Sequence, residues 1–116
     1  MPAAPPDPRG GVAVLPQKEA AIPVTYIFMA VHYPAPGKLD EVHASMREMA
    51  ASAAGTPGLL EIGPWLDRDR TRVTGISRWT TREAFEAAMP GSGVPNNAIH
   101  PGESKPREYF HLVSGA

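Results

Sequence analysis

The chain has 116 residues, no cysteine, and 11 Lys and Arg against 12 Asp and Glu for a formal net charge of -1. That length fits one domain, disulfides and thiolate zinc sites are excluded, and no global field points to nucleic acid or an anionic membrane. No apolar run approaches the ~20 residues of a membrane span, and Met1 to Arg9 has neither the basic start nor the apolar stretch of a signal peptide, so a cytoplasmic protein is expected.

With 42% hydrophobic and 20% charged residues the composition is that of a folded domain, but the chain holds 14 prolines, more than twice the usual share of about 5%. Six fall in residues 1–23 and four in residues 90–106. The first of these segments has Gly10-Gly11 and no apolar period, which predicts a mobile or loosely docked arm ahead of a domain over 24–116. Within the arm, Val12 to Leu15 could add a short edge strand. Residues 24–33 are a dense β-branched and aromatic run closed by Pro34 and Pro36, which predicts a central strand. Leu39, Val42, Met46, Met49 and Ala53 then step by three and four, as one stripe of an amphipathic helix does. Asp40 and Glu41 suit the positive end of its dipole, and Gly55 stops it. A strand follows over 59–66, and Pro64, having no N–H to donate, places it at an edge or a bulge.

Asp67 to Arg70 is a charged hairpin tip, and residues 72–79 a third strand with Val73, Gly75, Ser77 and Trp79 on one face. Thr80-Thr-Arg-Glu83 matches a capping box for a short helix over 84–89, which stops before Pro90-Gly91. Residues 90–106 have no periodicity and predict either a lid over a site or a surface excursion across a dimer. A last strand covers 108–113. The order β-α-β-β-α-β is the split βαβ, a ferredoxin-like α+β fold with a four-stranded antiparallel sheet and two helices on one face. The other face would be bare and apolar, so a second subunit is expected to cover it.

The strand followed by Pro34-Ala-Pro-Gly37, the helix, Thr56-Pro-Gly-Leu59, the hairpin, and Ser77-Arg-Trp79-Thr-Thr-Arg-Glu83-Ala-Phe85 together resemble the antibiotic-biosynthesis-monooxygenase superfamily of dimeric α+β barrels. The resemblance covers about residues 24–89 and the last strand. Its most specific piece is the strand tryptophan running into a capped helix with Glu83-Ala-Phe85. It implies a homodimer packed sheet to sheet and, in each protomer, a ligand cleft between sheet and helices. The superfamily spans cofactor-free quinol monooxygenases, haem-degrading monooxygenases, small isomerases and members without assigned activity, so function has to be argued from the site. The haem-degrading branch carries a polar residue on the first strand, a tryptophan on the second helix and a histidine ligand beyond it. His32 falls near the first of these positions, but Ala88 and Ala98 fall at the other two, with His100 two residues on. Haem handling therefore ranks below quinol-type chemistry.

His32, at the end of the first strand, has the ordinary pKa of a general base for a phenol or hydroquinone, and is otherwise a half-buried strand histidine bonded to a carbonyl. His100 in the long loop is the second catalytic candidate. Tyr109 and His111 on the last strand would join His32 in one polar cluster if register parity puts them on one face. Trp65 and Trp79 offer flat surface for an aromatic substrate or for the core, and the core is the better reading of Trp79. Phe85 reads first as helix core facing the sheet, and could line the same cleft from the helix. Arg78 is either a surface charge or, turned into the cleft, a stabiliser of a developing oxyanion. Four histidines without His-x3-His or His-x-His spacing predict no metal site, and the absence of a nucleotide, flavin or haem motif predicts no cofactor. The sequence thus points to a cofactor-independent monooxygenase-type enzyme for a small aromatic or quinol substrate. The alternative is a non-catalytic dimeric module that binds a small apolar ligand or a protein partner.

Overall fold

The computed structural model describes residues 23–114, and all of the expected arm but Pro23, its Val12 to Leu15 strand included, lies outside them. The elements are β1 (Tyr26–His32), α1 (Leu39–Ala53), β2 (Leu59–Leu66), β3 (Val73–Trp79), α2 (Arg82–Ala88) and β4 (Glu108–Val113). The strands form one antiparallel sheet in the order β2-β3-β1-β4, which is the ferredoxin-like α+β fold. β1 is central, as its apolar character on both faces requires. β2 is an edge strand, as Pro64 requires, and its register shifts at a bulge between Leu59 and Glu61. None of the helices among the described residues is long and apolar enough to cross a membrane.

Directly opposed residues of antiparallel strands share a face, so the register sorts the side chains. Tyr26, Phe28 and Ala30 of β1 oppose Trp79, Ser77 and Gly75 of β3, and Val73 opposes His32. Tyr109 and His111 of β4 oppose Ala30 and Phe28 on that same helix-covered face. There Phe85 of α2 packs onto Tyr26, Phe28 and Trp79, and Val42 and Met46 of α1 pack onto Val73. The Trp79 indole N–H donates to Ser77 Oγ at 2.8 Å, so its polar atom is satisfied inside the core. The opposite face is open: Trp65, Phe110 and Leu112 are 53%, 45% and 46% exposed.

The capping of α2 differs from expectation by one residue. Thr81, not Thr80, is the N-cap, and its hydroxyl accepts from the Ala84 N–H at 3.0 Å. The position that would return the reciprocal bond is then Ala84, which leaves Glu83 without that role. Thr80 is instead held by backbone, its N–H donating to the Gly58 carbonyl at 2.9 Å. Thr81→Ala should therefore cost about 1 kcal/mol, while Glu83→Gln should fall within about 0.5 kcal/mol of wild type; chemical denaturation of both variants checks the pair.

At the β2–β3 hairpin the Asp67 carboxylate accepts from the Thr71 hydroxyl at 2.6 Å and from the Arg72 and Thr71 amides at 2.8 and 2.7 Å. These bonds, led by the Thr71 hydroxyl, hold its carboxyl far below the usual range. The Asp67 side chain and the Arg70 N–H to Asp67 O bond at 2.9 Å close the turn, with Arg70 in the left-handed region at φ 57°.

Candidate functional site

The cleft arises where β1 ends and the long connection after α2 comes back to it. Leaving α2, the chain passes over β4 and β1 at Gly93, where φ is +77° and a Cβ would lie 2.6 Å from both the His111 and Phe28 rings. Only glycine permits that approach. Further on, the connection is stitched to the residues following β1. Ala35 N–H donates to Gly102 O at 2.8 Å, Ser104 N–H to Tyr33 O at 2.7 Å, and Pro34 and Glu103 form an isolated antiparallel bridge. The segment expected to be a lid or an excursion is thus tied down at residues 102–104, and the tie sets Glu103 beside His32.

His32 is 8% exposed. Its Nδ1 lies 3.3 Å from Glu103 Oε2. Arg107 grips the same carboxylate with Nε at 3.0 and 3.1 Å and Nη2 at 2.7 Å. Burial pushes the His32 pKa below its ordinary value, and the Arg107 charge adds to this, against the opposing pull of Glu103. For Glu103, burial acts to raise the pKa, but the Arg107 hydrogen bonds and the His32 contact outweigh it and hold the carboxyl below its ordinary range. At neutral pH the pair is therefore a neutral imidazole against an ionised carboxylate, which can only accept. Nδ1 must then be the donor, so Nε2 carries the lone pair. Nε2 has no hydrogen-bond partner among the described residues, and no fully buried side-chain nitrogen there lacks one, so Nε2 meets accessible space.

Three cavities share His32 and Met46 as walls. An apolar slot of about 40 Å³ runs between α1 and the sheet past Phe28, Ile62 and Met49. A recess of about 310 Å³ opens towards Tyr109, Val94 and Asn96. A polar bowl of about 330 Å³ lies on the side of Lys38, Glu41 and Glu103. Gly75 lines the slot, and its lack of a side chain lets Met46 close in: Met46 Cε sits 2.7 Å from where a Cβ would be. Met49, although on the apolar stripe of α1, stays 43% exposed because it borders this cleft.

The other sequence candidates divide between the cleft, the core and the far side of the sheet. Tyr109 joins His32 in the recess. His111 shares the face but opposes Phe28, four residues from His32 along β1, or about 13 Å at 3.3 Å per residue. It binds Tyr26 Oη through Nδ1 and Gly93 O through Nε2 at 3.3 Å, so the single histidine cluster divides into two. His100 is half-buried; its carbonyl accepts from the Glu103 N–H at 3.0 Å, and its charge adds a little to the lowering at His32. Trp79 and Phe85 are 1% and 2% exposed within the aromatic core. Trp65 and Arg78 are corrections, because strand parity sets both on the open face. Trp65 opposes Thr74 there, and Arg78 pairs with Glu61 at 2.6 Å. Neither can reach a ligand in the cleft. Glu103 and Arg107 had no place among the sequence candidates. Their i,i+4 spacing is visible in the sequence, but nothing local ties an aperiodic connection to a strand end 71 residues away. No group of three His, Asp or Glu side chains among the described residues is arranged to hold a metal ion.

A four-stranded sheet carrying two helices on one face, with a histidine-bearing cleft between sheet and helix, defines the class of protein. The profile of the antibiotic biosynthesis monooxygenase family matches residues 25–91, and the chain belongs to that family. Among solved structures it is similar to PA3566 from Pseudomonas aeruginosa, at 17% identity over 82% of this chain and 98% of that one, with a TM-score of 0.61. It is similar also to a monooxygenase of Streptomyces coelicolor from the gene ActVA-Orf6, solved with nanaomycin D, at 13% identity, 80% and 89% coverage and TM-score 0.60. The heme-degrader MhuD from Mycobacterium tuberculosis, solved with two hemes in its active site, aligns at 15% identity, 78% and 96% coverage and TM-score 0.60. At such identities the likeness is one of fold. No curated protein matches the chain.

Proposed function

We propose that the chain is a monooxygenase-type enzyme that uses His32 as general base on a small aromatic or quinol substrate held between the sheet and α1. The observation that carries this reading is the His32 ring itself, buried, neutral, engaged through Nδ1 and free at Nε2, at the junction of an apolar slot and an open recess. A neutral imidazole of ordinary or lowered pKa accepts a proton at pH 7. Nε2 takes one from an acidified C–H or O–H of the substrate, and the resulting anion gives its electrons to dioxygen, the co-substrate. For an activated methylene the carbon forms a C–O bond to give a peroxide. The O–O bond then breaks with loss of the second hydrogen, leaving C=O, and the second oxygen departs as water with the proton returned from His32. Phe28, Met46 and Met49 offer apolar walls that keep water from the anion, and Tyr109 offers an aromatic face.

Two observations favour this over its rivals. A purely binding module calls for a closed or wholly apolar cleft away from the histidines, whereas the recess at His32 is open and includes Asn96 and Arg107. Haem handling finds neither tryptophan nor histidine on α2, and Ala88 and Ala98 are exposed. The test is oxygen uptake by purified protein across a panel of hydroquinones and anthrone-type ketones. Uptake with at least one of them is expected, and none with any would overturn the oxygenase reading.

The protein should act as a homodimer, with a second copy covering the open face. Trp65 on one edge strand and Phe110 and Leu112 on the other leave large apolar side chains exposed on that face, of the kind a partner subunit covers. Phe110→Asp combined with Trp65→Glu should convert a dimer to a monomer by multi-angle light scattering. Equal masses for wild type and variant would remove this face from the interface.

A further inference from the structure

We propose that Glu103 is a positioning residue that fixes His32 as the Nδ1–H tautomer, leaving Nε2 for the substrate, and that Arg107 keeps Glu103 ionised for this task. The inference rests on His32 being the base, and it adds what makes that base competent. Neutral histidine has two tautomers, chosen by the hydrogen bond the other nitrogen makes. Only an ionised carboxylate is restricted to accepting, and the Glu103 side chain is 3% exposed, where a lone charge would be expelled or neutralised. The three Arg107 contacts answer that cost, and His32 takes the remaining approach to Oε2.

Other groups facing His32 leave control with this pair. Lys38 and Glu41 at the start of α1, across the polar bowl, are bound to each other at 3.0 Å. Val42 and Met46 of α1 and Val73 of β3 are apolar. His100 is the one other titratable neighbour from the loop. The backbone bonds of 102–104 to residues 33–35 aim Glu103, so the dyad is completed only when this segment is docked. The family match ends at residue 91. The base thus lies within the matched segment, and the groups that orient it come from beyond it.

The two partners act on His32 with opposite sign, and a loosened site would not reproduce this. Ring-nitrogen NMR of the full chain, with His32 assigned by its loss in His32→Gln, reads tautomer and titration together. Wild type should show protonated Nδ1 and bare Nε2. In Glu103→Gln the preference should fade and the titration move to lower pH, while Glu103→Asp should retain both. In Arg107→Met the pair should take up its proton at higher pH, and the Nδ1–H preference should weaken as Glu103 loses the contacts that keep it ionised. Mere loosening would move both variants upward, towards the value of free histidine. An unchanged tautomer in Glu103→Gln, or shifts of the same sign in Glu103→Gln and Arg107→Met, overturns the proposal. Should Glu103→Gln fail to fold, the wild-type ring decides, and a protonated Nε2 with a bare Nδ1 overturns the proposal. In oxygen uptake, Glu103→Gln should lower kcat by at least about tenfold with KM little changed. No uptake by wild type alongside the expected NMR pattern would remove the oxygenase reading and leave this inference standing. A fully active Glu103→Gln enzyme would do the reverse.

Discussion

His32→Ala is expected to lower kcat/KM for hydroquinone oxygenation by about 10²–10⁴-fold, the usual contribution of a positioned general base. Wild-type kcat/KM should be flat at neutral pH and fall on the acid side with a midpoint below the ordinary histidine value of about 6.5, because burial depresses the His32 pKa. Stability is linked to the same titration. With a folded pKa below the unfolded one, the unfolded chain binds more protons between the two values. The His32 contribution to stability is therefore complete above about pH 6.5 and is lost as pH falls from there to the folded value. Glu103, also depressed, adds a second loss that begins near the ordinary glutamate range and proceeds below it. An acid limb in kcat/KM centred above 6.5 would contradict the buried neutral imidazole.

Phe85→Ala should destabilise the domain by about 3–5 kcal/mol. The ring is 2% exposed and meets Phe28, Tyr26 and Trp79 at centroid distances of 4.9, 5.2 and 5.6 Å. It is the main apolar contribution of a seven-residue helix, so its loss empties the junction of α2 with the sheet. In a domain of this size each kcal/mol corresponds to roughly 4–8 °C in Tm. A loss below about 1 kcal/mol in urea or thermal melts would mean that the aromatic cluster is not the core.

The hydrophobic pattern made the strands, the helices and the fold legible. Residues 59–66 and 108–113 are β2 and β4 to the residue. The α1 stripe was legible at Val42 and Met46 but not at Met49, which helix periodicity cannot tell apart from core although it borders a cleft. The place of Arg78 follows once Trp79 is taken as core, because neighbours on a strand face opposite ways. That of Trp65 needs the β2–β3 register, which depends on a bulge that no local pattern announces. The capping-box pattern put the cap of α2 on Thr80, and it falls on Thr81, whose hydroxyl reaches the Ala84 N–H. What stayed hidden was the dyad. Glu103 reaches His32 through backbone pairing between a strand end and an aperiodic connection, a contact made only in the folded chain. The aperiodic, proline- and glycine-rich residues 90–106 point to a lid or a surface excursion, and the segment is bonded down at residues 102–104.

The most direct measurement of the central claim is chemical rescue of the base. Oxygen uptake by His32→Ala should be at least about 10²-fold below wild type and should recover in a saturable way when imidazole is added, as the small base enters the space beside Glu103. Equal rates for wild type and His32→Ala, or a loss of rate that imidazole leaves untouched in a variant that still binds substrate, would contradict His32 as the group that takes the proton.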